Sequence, residues 1–166
     1  IRDSLWRQSD HFRYIVLSPH IVPNAKKFID VDRLNIYTVV LPTFFAPPLP
    51  QPDNVGPKFA VFGYGNSSML HQILVRLAEK KIKLPYEIRI IGIDSRGVSG
   101  FENVMIPVQG RGLSRAEMEH YAKDIDTFLI LYEKNKYEVS CSGSILEALS
   151  YMKPVLHFDN VCINTL

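Results

Sequence analysis

The chain has 166 residues, of which 46% are hydrophobic and 22% are charged, a composition typical of folded proteins that argues against disorder. Its 19 basic and 17 acidic residues leave a formal net charge of +2, and they are mixed along the chain without the basic run of a nucleic-acid binder. We therefore expect one hydrophobic core, with at most a structured extension, and no nucleic-acid partner.

The first 57 residues predict two short strands and an extended connector. FRYIVLS, residues 12–18, and NIYTVVL, residues 35–41, are strand-like apolar runs, and the polar stretch between them allows one or two helical turns. Six of the eleven prolines fall within residues 42–57, where proline fixes the backbone and removes hydrogen-bond donors. We interpret residues 1–57 as the end of a preceding domain plus a proline-rich connector.

From residue 58 onward, predicted strands alternate with single helices. Leu70, Ile73, Leu74 and Leu77 are spaced like one face of a helix, and Ser114 to Glu117 has the S-x-x-E spacing of a capping box. A third helix is predicted over residues 144–152. The predicted strands are KFAVFGYGN, YEIRIIGID, NVMIP, DTFLILY and KPVLHF. This alternation predicts an α/β fold, a Rossmann-like three-layer parallel sheet over residues 58–166.

The loop after the first of these strands is a candidate ligand site, because open parallel sheets bind ligands beyond the carboxyl ends of their strands. Gly63 and Gly65 allow a ligand to approach the backbone, and Asn66 precedes a helix whose free amides attract anions. The motif lacks the third glycine of the dinucleotide fingerprint and the Gly-Lys of a P-loop. A purely structural turn therefore remains an alternative.

The second candidate is the loop Ser142, Gly143, Ser144. Amides and hydroxyls at the start of the next helix could hold a diphosphate, and Glu147, one turn later, could accept hydrogen bonds from ribose hydroxyls. Ser144 to Glu147 is also an S-x-x-E capping box that needs no ligand. Both interpretations stay open.

Other chemistry is sparse in the sequence. Glu133 and Glu138, in YEKNKYE, could bind sugar hydroxyls or could lie in a solvated loop. No catalytic triad order, paired acids or metal cluster is visible, so the catalytic residues are unknown and no metal or cofactor is expected. The cysteines, Cys141 and Cys162, have no zinc or disulfide-framework spacing.

Two further expectations concern the ends and location of the chain. No apolar run approaches the roughly 20 residues that span a bilayer, and no targeting pattern follows the first residue. We expect a cytoplasmic fragment of a longer protein, truncated at its C-terminus before the last strand is covered.

The segment DIDTFLILYEKNKYEVSCSGSILEALSYMKPVL, residues 124–156, resembles the signature region of bacterial GT-B glycosyltransferases that use nucleotide sugars, especially those of surface-polysaccharide pathways. Shared features are an apolar strand, a tyrosine-containing loop, Ser-Gly-Ser, a helix opening with Leu-Glu-Ala, and Lys-Pro-Val at the next strand. Met152 stands where the family usually has glycine. The order of the upstream segments is similar too, so the resemblance covers nearly the whole chain.

The resemblance implies roles for the two candidate loops. Gly63, Gly65 and Asn66 would border the donor phosphates and sugar. The Ser142 to Ser144 loop would receive the diphosphate, and Glu147 would bind the ribose.

Backbone groups of residues 110–112 would lie by the nucleobase, and Arg111 could supply a phosphate-binding cation that the first loop lacks. Retaining members of the family often have a sugar-binding glutamate eight positions before the ribose glutamate. Val139 occupies that position here, and Glu138 is adjacent.

The implied function is the donor-binding, C-terminal half of a glycosyltransferase. The whole enzyme would transfer a sugar from a UDP or GDP sugar to a glycan or lipid-linked acceptor. A lipid-linked acceptor would bring it to the inner membrane surface. The acceptor domain would precede this fragment, so the fragment alone should transfer nothing. Alternatives are a nucleotide-sugar 2-epimerase and a non-catalytic Rossmann-like interaction domain.

Overall fold

The computed structural model describes residues 12–40, 56–63, 65–92 and 97–166. These residues form two compact units. The described parts of the first unit are residues 12–40, 134–142 and 159–166; those of the second lie within residues 56–133 and 143–158. The predicted proline-rich connector falls almost wholly outside the described residues, and the domain boundary proposed from the sequence stays a prediction.

The first unit contains a two-stranded parallel pair. Strand β1 (Tyr14–Val16) pairs with β2 (Ile36–Thr38). Between them lie helix α1 (Ile21–Ala25) and a 3-10 turn (Val31–Arg33). Both predicted strands and the helical turns between them are therefore confirmed.

A buried histidine connects distant parts of this unit. His20 is 4% exposed, and its Nε2 lies 2.9 Å from the carbonyl oxygen of Tyr137 and 3.1 Å from that of Ser140. Because a carbonyl can only accept, Nε2 is the donor to these oxygens, and Nδ1 lies 2.8 Å from the Ser18 hydroxyl. The ring thus fixes the loop of residues 137–140 against the start of α1.

The second unit is a five-stranded parallel sheet in the order β5-β4-β3-β6-β7. All five predicted strands are confirmed, and three helices connect them. The strands are β3 (Lys58–Phe62), β4 (Glu87–Ile91), β5 (Val104–Met105), β6 (Thr127–Ile130) and β7 (Val155–His157), and the helices are α2 (Ser67–Glu79), α3 (Arg115–Ala122) and α4 (Gly143–Ser150).

Side chains on both faces of this sheet are buried, as a parallel sheet requires. On one face, Val61 and Ile90 pack with Leu70 and Leu74 of α2. On the other face, the rings of Phe62 and Phe128 lie 5.1 Å apart, and both approach Tyr151, which follows α4. The sheet is therefore the middle of three layers.

An ion-pair network around one buried arginine crosses the amino-terminal half of the sheet, and its other members are partly exposed. Arg89 of β4 is 6% exposed, and it donates to Asp124 at 2.6 Å and to Glu87 at 2.8 Å. Asp124 also accepts from Lys58 of β3 at 2.5 Å. Burial alone would raise the pKa of Asp124, but the hydrogen bonds from Arg89 and Lys58 outweigh it and hold that pKa at about 2.

Replacing Asp124 with asparagine should destabilise the chain in a pH-dependent way. A pKa of about 2 in the folded state, against an ordinary value of 3.8, corresponds to about 2 kcal/mol of stability. That contribution is complete above the unfolded pKa and is lost as pH falls toward 2. Urea denaturation should therefore show Asp124→Asn about 2 kcal/mol less stable than wild type at pH 7, with a difference that shrinks below pH 4.

The matched control is Glu79→Gln, which removes an exposed carboxylate from the end of α2. It should leave the stability nearly unchanged. A deficit for Asp124→Asn that is equally large at pH 2.5 and pH 7 would contradict the assignment of the stability to this ionised pair.

Candidate functional site

The strand order defines a crevice at one edge of the second unit. From β3 the chain proceeds to β4 and β5 on one side, whereas β6 leads to β7 on the other. The loops that leave the carboxyl ends of β3 and β6 therefore diverge, and such a topological switch point is where open α/β sheets bind ligands. Both candidate loops from the sequence follow these two strands.

Gly63 and Ser144 meet at this switch point. Gly63 has a φ of +72°, and a Cβ built on it would lie 2.3 Å from both Cβ and Oγ of Ser144. Its amide donates to the carbonyl of Ile91, at the end of β4, at 2.9 Å. The loop after β3 and the start of α4, predicted separately from the sequence, are thus in direct contact.

Asn66 joins the loop after β3 to the end of β6. Its Oδ1 accepts from the amides of Ser68 and Met69 at 3.0 and 3.1 Å, which caps α2, and its Nδ2 donates to Glu133 at 2.7 Å. Two of the amides that could attract an anion are therefore already bonded. Gly65, beside it, is partly buried, and the ligand-binding role of both residues stays a prediction.

The second candidate loop is exposed only in part. Helix α4 begins at Gly143, one residue before the predicted start. Ser142 is 2% exposed and belongs to the first unit, whereas Gly143 is exposed and Ser144 partly buried. The part of this loop that solvent reaches is therefore the helix N-terminus itself.

Glu147 forms an ion pair that the sequence did not indicate. Its Oε1 lies 2.7 Å from Nη1 of Arg115, the first residue of α3, and the Glu147 side chain is 18% exposed. Oε1 is buried and accepts no hydrogen bond of regular geometry from the described residues. Arg115 also donates through Nε to Glu119 at 2.8 Å. The proposed ribose carboxylate therefore already has a cationic partner.

Arg111 is likewise engaged with a carboxylate. Its guanidinium contacts Glu117 at 2.6 and 2.9 Å. The Glu117 carboxylate also accepts from the Ser114 amide, and the Ser114 hydroxyl accepts from the Glu117 amide. These two hydrogen bonds confirm the predicted capping box. The Arg111 contact and the Ser114 bonds lower the pKa of Glu117 to about 2. A phosphate would have to compete with Glu117 for Arg111.

Glu138 lies in the first unit, where it forms an ion pair with Lys27. Its predicted contact with the donor sugar stays a prediction. No group of three or more metal-ligating side chains occurs within the described parts of the chain, and none of their helices is long and apolar enough to cross a membrane.

The fold is a Rossmann-like α/β fold with a five-stranded parallel sheet, as the sequence predicted, and it matches the fold of a GT-B glycosyltransferase. No protein-family model and no curated protein matches the chain. Among solved structures, it resembles the apo form of the lipopolysaccharide outer core galactosyltransferase WaaB, with a TM-score of 0.53 and 19% sequence identity. The match covers 89% of this chain and 43% of that one. At this identity the similarity shows the fold and not the activity.

The close contact at Gly63 leads to a stability prediction. Gly63→Ala should lower the free energy of unfolding by roughly 3 kcal/mol, because the new Cβ meets Ser144 and the positive φ strains the backbone. Adding Ser144→Gly removes both atoms that the Cβ would meet, so the double variant should recover part of the loss in urea denaturation.

Gly110→Ala is the matched control, because Gly110 has a φ of +78° but a Cβ there would meet no atom within 4 Å. It should cost only the backbone strain, roughly 1 kcal/mol. If Gly63→Ala costs no more than Gly110→Ala, or if Ser144→Gly rescues nothing, the two loops are not packed as described.

Proposed function

We propose that the chain is the donor-binding, C-terminal half of a glycosyltransferase. The whole enzyme would transfer a sugar from a nucleoside diphosphate sugar, with UDP or GDP as the leaving group, to a glycan or lipid-linked acceptor in surface-polysaccharide synthesis. The acceptor domain would be a separate part of the longer protein. No other cofactor enters the proposal.

The observation that carries this proposal is the convergence of Gly63 and Ser144 at the switch point of the sheet. The contact puts the N-terminus of α4 at the crevice, and a helix N-terminus attracts a diphosphate through its free amides and dipole. The fold shared with a lipopolysaccharide galactosyltransferase supports the reaction class, and the Ser-Gly-Ser signature supports the donor class.

In the proposed complex, each residue has a role that follows from its chemistry. Amides at Gly143 and Ser144 would bind the diphosphate and stabilise the negative charge that develops on it as the sugar leaves. Glu147, one turn further along α4, would accept hydrogen bonds from two ribose hydroxyls. The unit would accelerate transfer by holding the donor in position for an acceptor hydroxyl supplied by the other domain.

An interaction domain without catalysis is the second candidate. It is favoured by the partners that three of the predicted site residues already have: Asn66 caps α2, Arg111 holds Glu117, and Glu147 faces Arg115. In that case these contacts stabilise the fold and no nucleotide binds. Binding measurements separate the two candidates directly.

Calorimetric titration of the purified chain with UDP, GDP, CMP and ADP tests the proposal. We expect selective binding of UDP or GDP, and Glu147→Gln should weaken it by about tenfold or more, because a hydrogen bond to a charged group contributes roughly 1.5–3 kcal/mol. Thermal denaturation of the variant should show that its fold is retained.

Glu119→Gln is the matched control, because Glu119 also pairs with Arg115 but lies on α3 and not on the donor helix. It should leave nucleotide affinity within about twofold of wild type. Absence of binding by all four nucleotides, or equal weakening by both variants, would overturn the proposed site and favour the interaction domain.

A further inference from the structure

The two cysteines of the chain lie together in the first unit. Cys141 precedes the Ser-Gly-Ser loop and Cys162 lies near the end of the chain. Cys162 is fully buried and Cys141 is partly exposed. Because the 166 residues include only these two cysteines, their proximity does not result from a high cysteine content.

Several contacts hold the two cysteine-bearing segments side by side. Asn160 is fully buried, and its side chain donates to the carbonyl of Lys136 at 3.0 Å. The amide of Val161 donates to the carbonyl of Lys134 at 3.3 Å, and Lys134 forms an ion pair with Asp159 at 3.0 Å. The proximity of the segments therefore rests on backbone and side-chain contacts that do not involve sulfur.

The two thiols are neighbours, because the Cys141 thiol contributes to the electrostatic environment of the Cys162 thiol. The Cys162 sulfur lies within hydrogen-bonding reach of the Cys141 thiol and of the Ser142 amide. Asn160 fixes the Cys162 backbone, because its Oδ1 accepts from the Cys162 amide at 3.0 Å. Burial raises the pKa of the Cys162 thiol, so this thiol ionises less readily than an exposed one. Cys141, which solvent reaches, is the thiol that a reagent would meet first.

We propose that Cys141 and Cys162 are a redox modification site that closes to a disulfide in the presence of a low-molecular-weight disulfide such as oxidised glutathione. The Cys141 thiolate attacks one sulfur of the oxidant, which forms a mixed disulfide and releases one glutathione thiolate. The Cys162 thiolate then attacks the Cys141 sulfur, and the second glutathione leaves. The protein loses two thiol hydrogens, and the oxidant is reduced to two glutathione molecules.

Such a bond would restrain the loop that leads into α4. Cys141 is covalently adjacent to Ser142, and the Ser142 amide already bonds to the Cys162 sulfur. A disulfide that closes a loop of about 20 residues stabilises mainly by restricting the unfolded chain. The modification site is independent of whether the chain binds a nucleotide, so its test needs no donor.

The test begins with the fully reduced wild-type chain, which is incubated with excess oxidised glutathione and then analysed by intact mass and peptide mapping under non-reducing conditions. We expect a monomer that has lost two hydrogen atoms, with a peptide in which Cys141 is joined to Cys162. No free thiol should remain after denaturation, dithiothreitol should restore both thiols, and the oxidised form should melt at a higher temperature.

Cys141→Ser and Cys162→Ser are the controls. Cys162→Ser should stop at a stable glutathione adduct on Cys141, and Cys141→Ser should react more slowly because its remaining thiol is buried. A stable glutathione adduct on the wild-type chain, two thiols that stay free, or a disulfide between two molecules would each overturn the proposal. The main readout uses the wild-type chain, so a variant that folds poorly does not affect it.

Discussion

The absence of a side chain at Gly63 is the constraint on which the crevice depends. The start of α4 occupies the space where a Cβ would lie, and on the other side a Cβ at Gly92 would come within 3.3 Å of Gly63. The ends of β3 and β4 and the beginning of α4 can therefore approach one another at one point. Asn66 completes this arrangement by joining the loop after β3 to Glu133 beyond β6.

Charged groups around this crevice neutralise one another. Arg115 faces Glu147, and Arg111 faces Glu117. The two arginine side chains are exposed, whereas the Glu147 carboxylate is largely buried. A ligand that offers better partners can therefore reach both guanidinium groups. A nucleoside diphosphate has both kinds of partner, because its phosphates attract guanidinium groups and its ribose hydroxyls can donate to a carboxylate.

The ion pairs of Arg89, inside the second unit, are harder to replace than those of Arg111 and Arg115. Arg89 is buried in the middle of β4 and is bonded to Glu87, the first residue of that strand, and to Asp124, which precedes β6. Removal of one partner from such a network leaves an uncompensated buried charge, which is costly. The burial of Arg89 therefore fixes the ion pairs near the amino-terminal edge of the sheet. A ligand can displace the ion pairs of Arg111 and Arg115 near its carboxyl edge.

The sequence by itself determined the strands, the helices, the parallel α/β class and the Ser114 to Glu117 capping box, because hydrophobic period and helix capping act between residues close together in the chain. It also indicated the two loops of the candidate site. Only the tertiary structure decided that Gly63 meets Ser144, that Arg115 faces Glu147, and that Cys141 and Cys162 are neighbours. Such partners are distant in sequence, and the path of the chain through the sheet brings them together, which local patterns in one sequence do not encode.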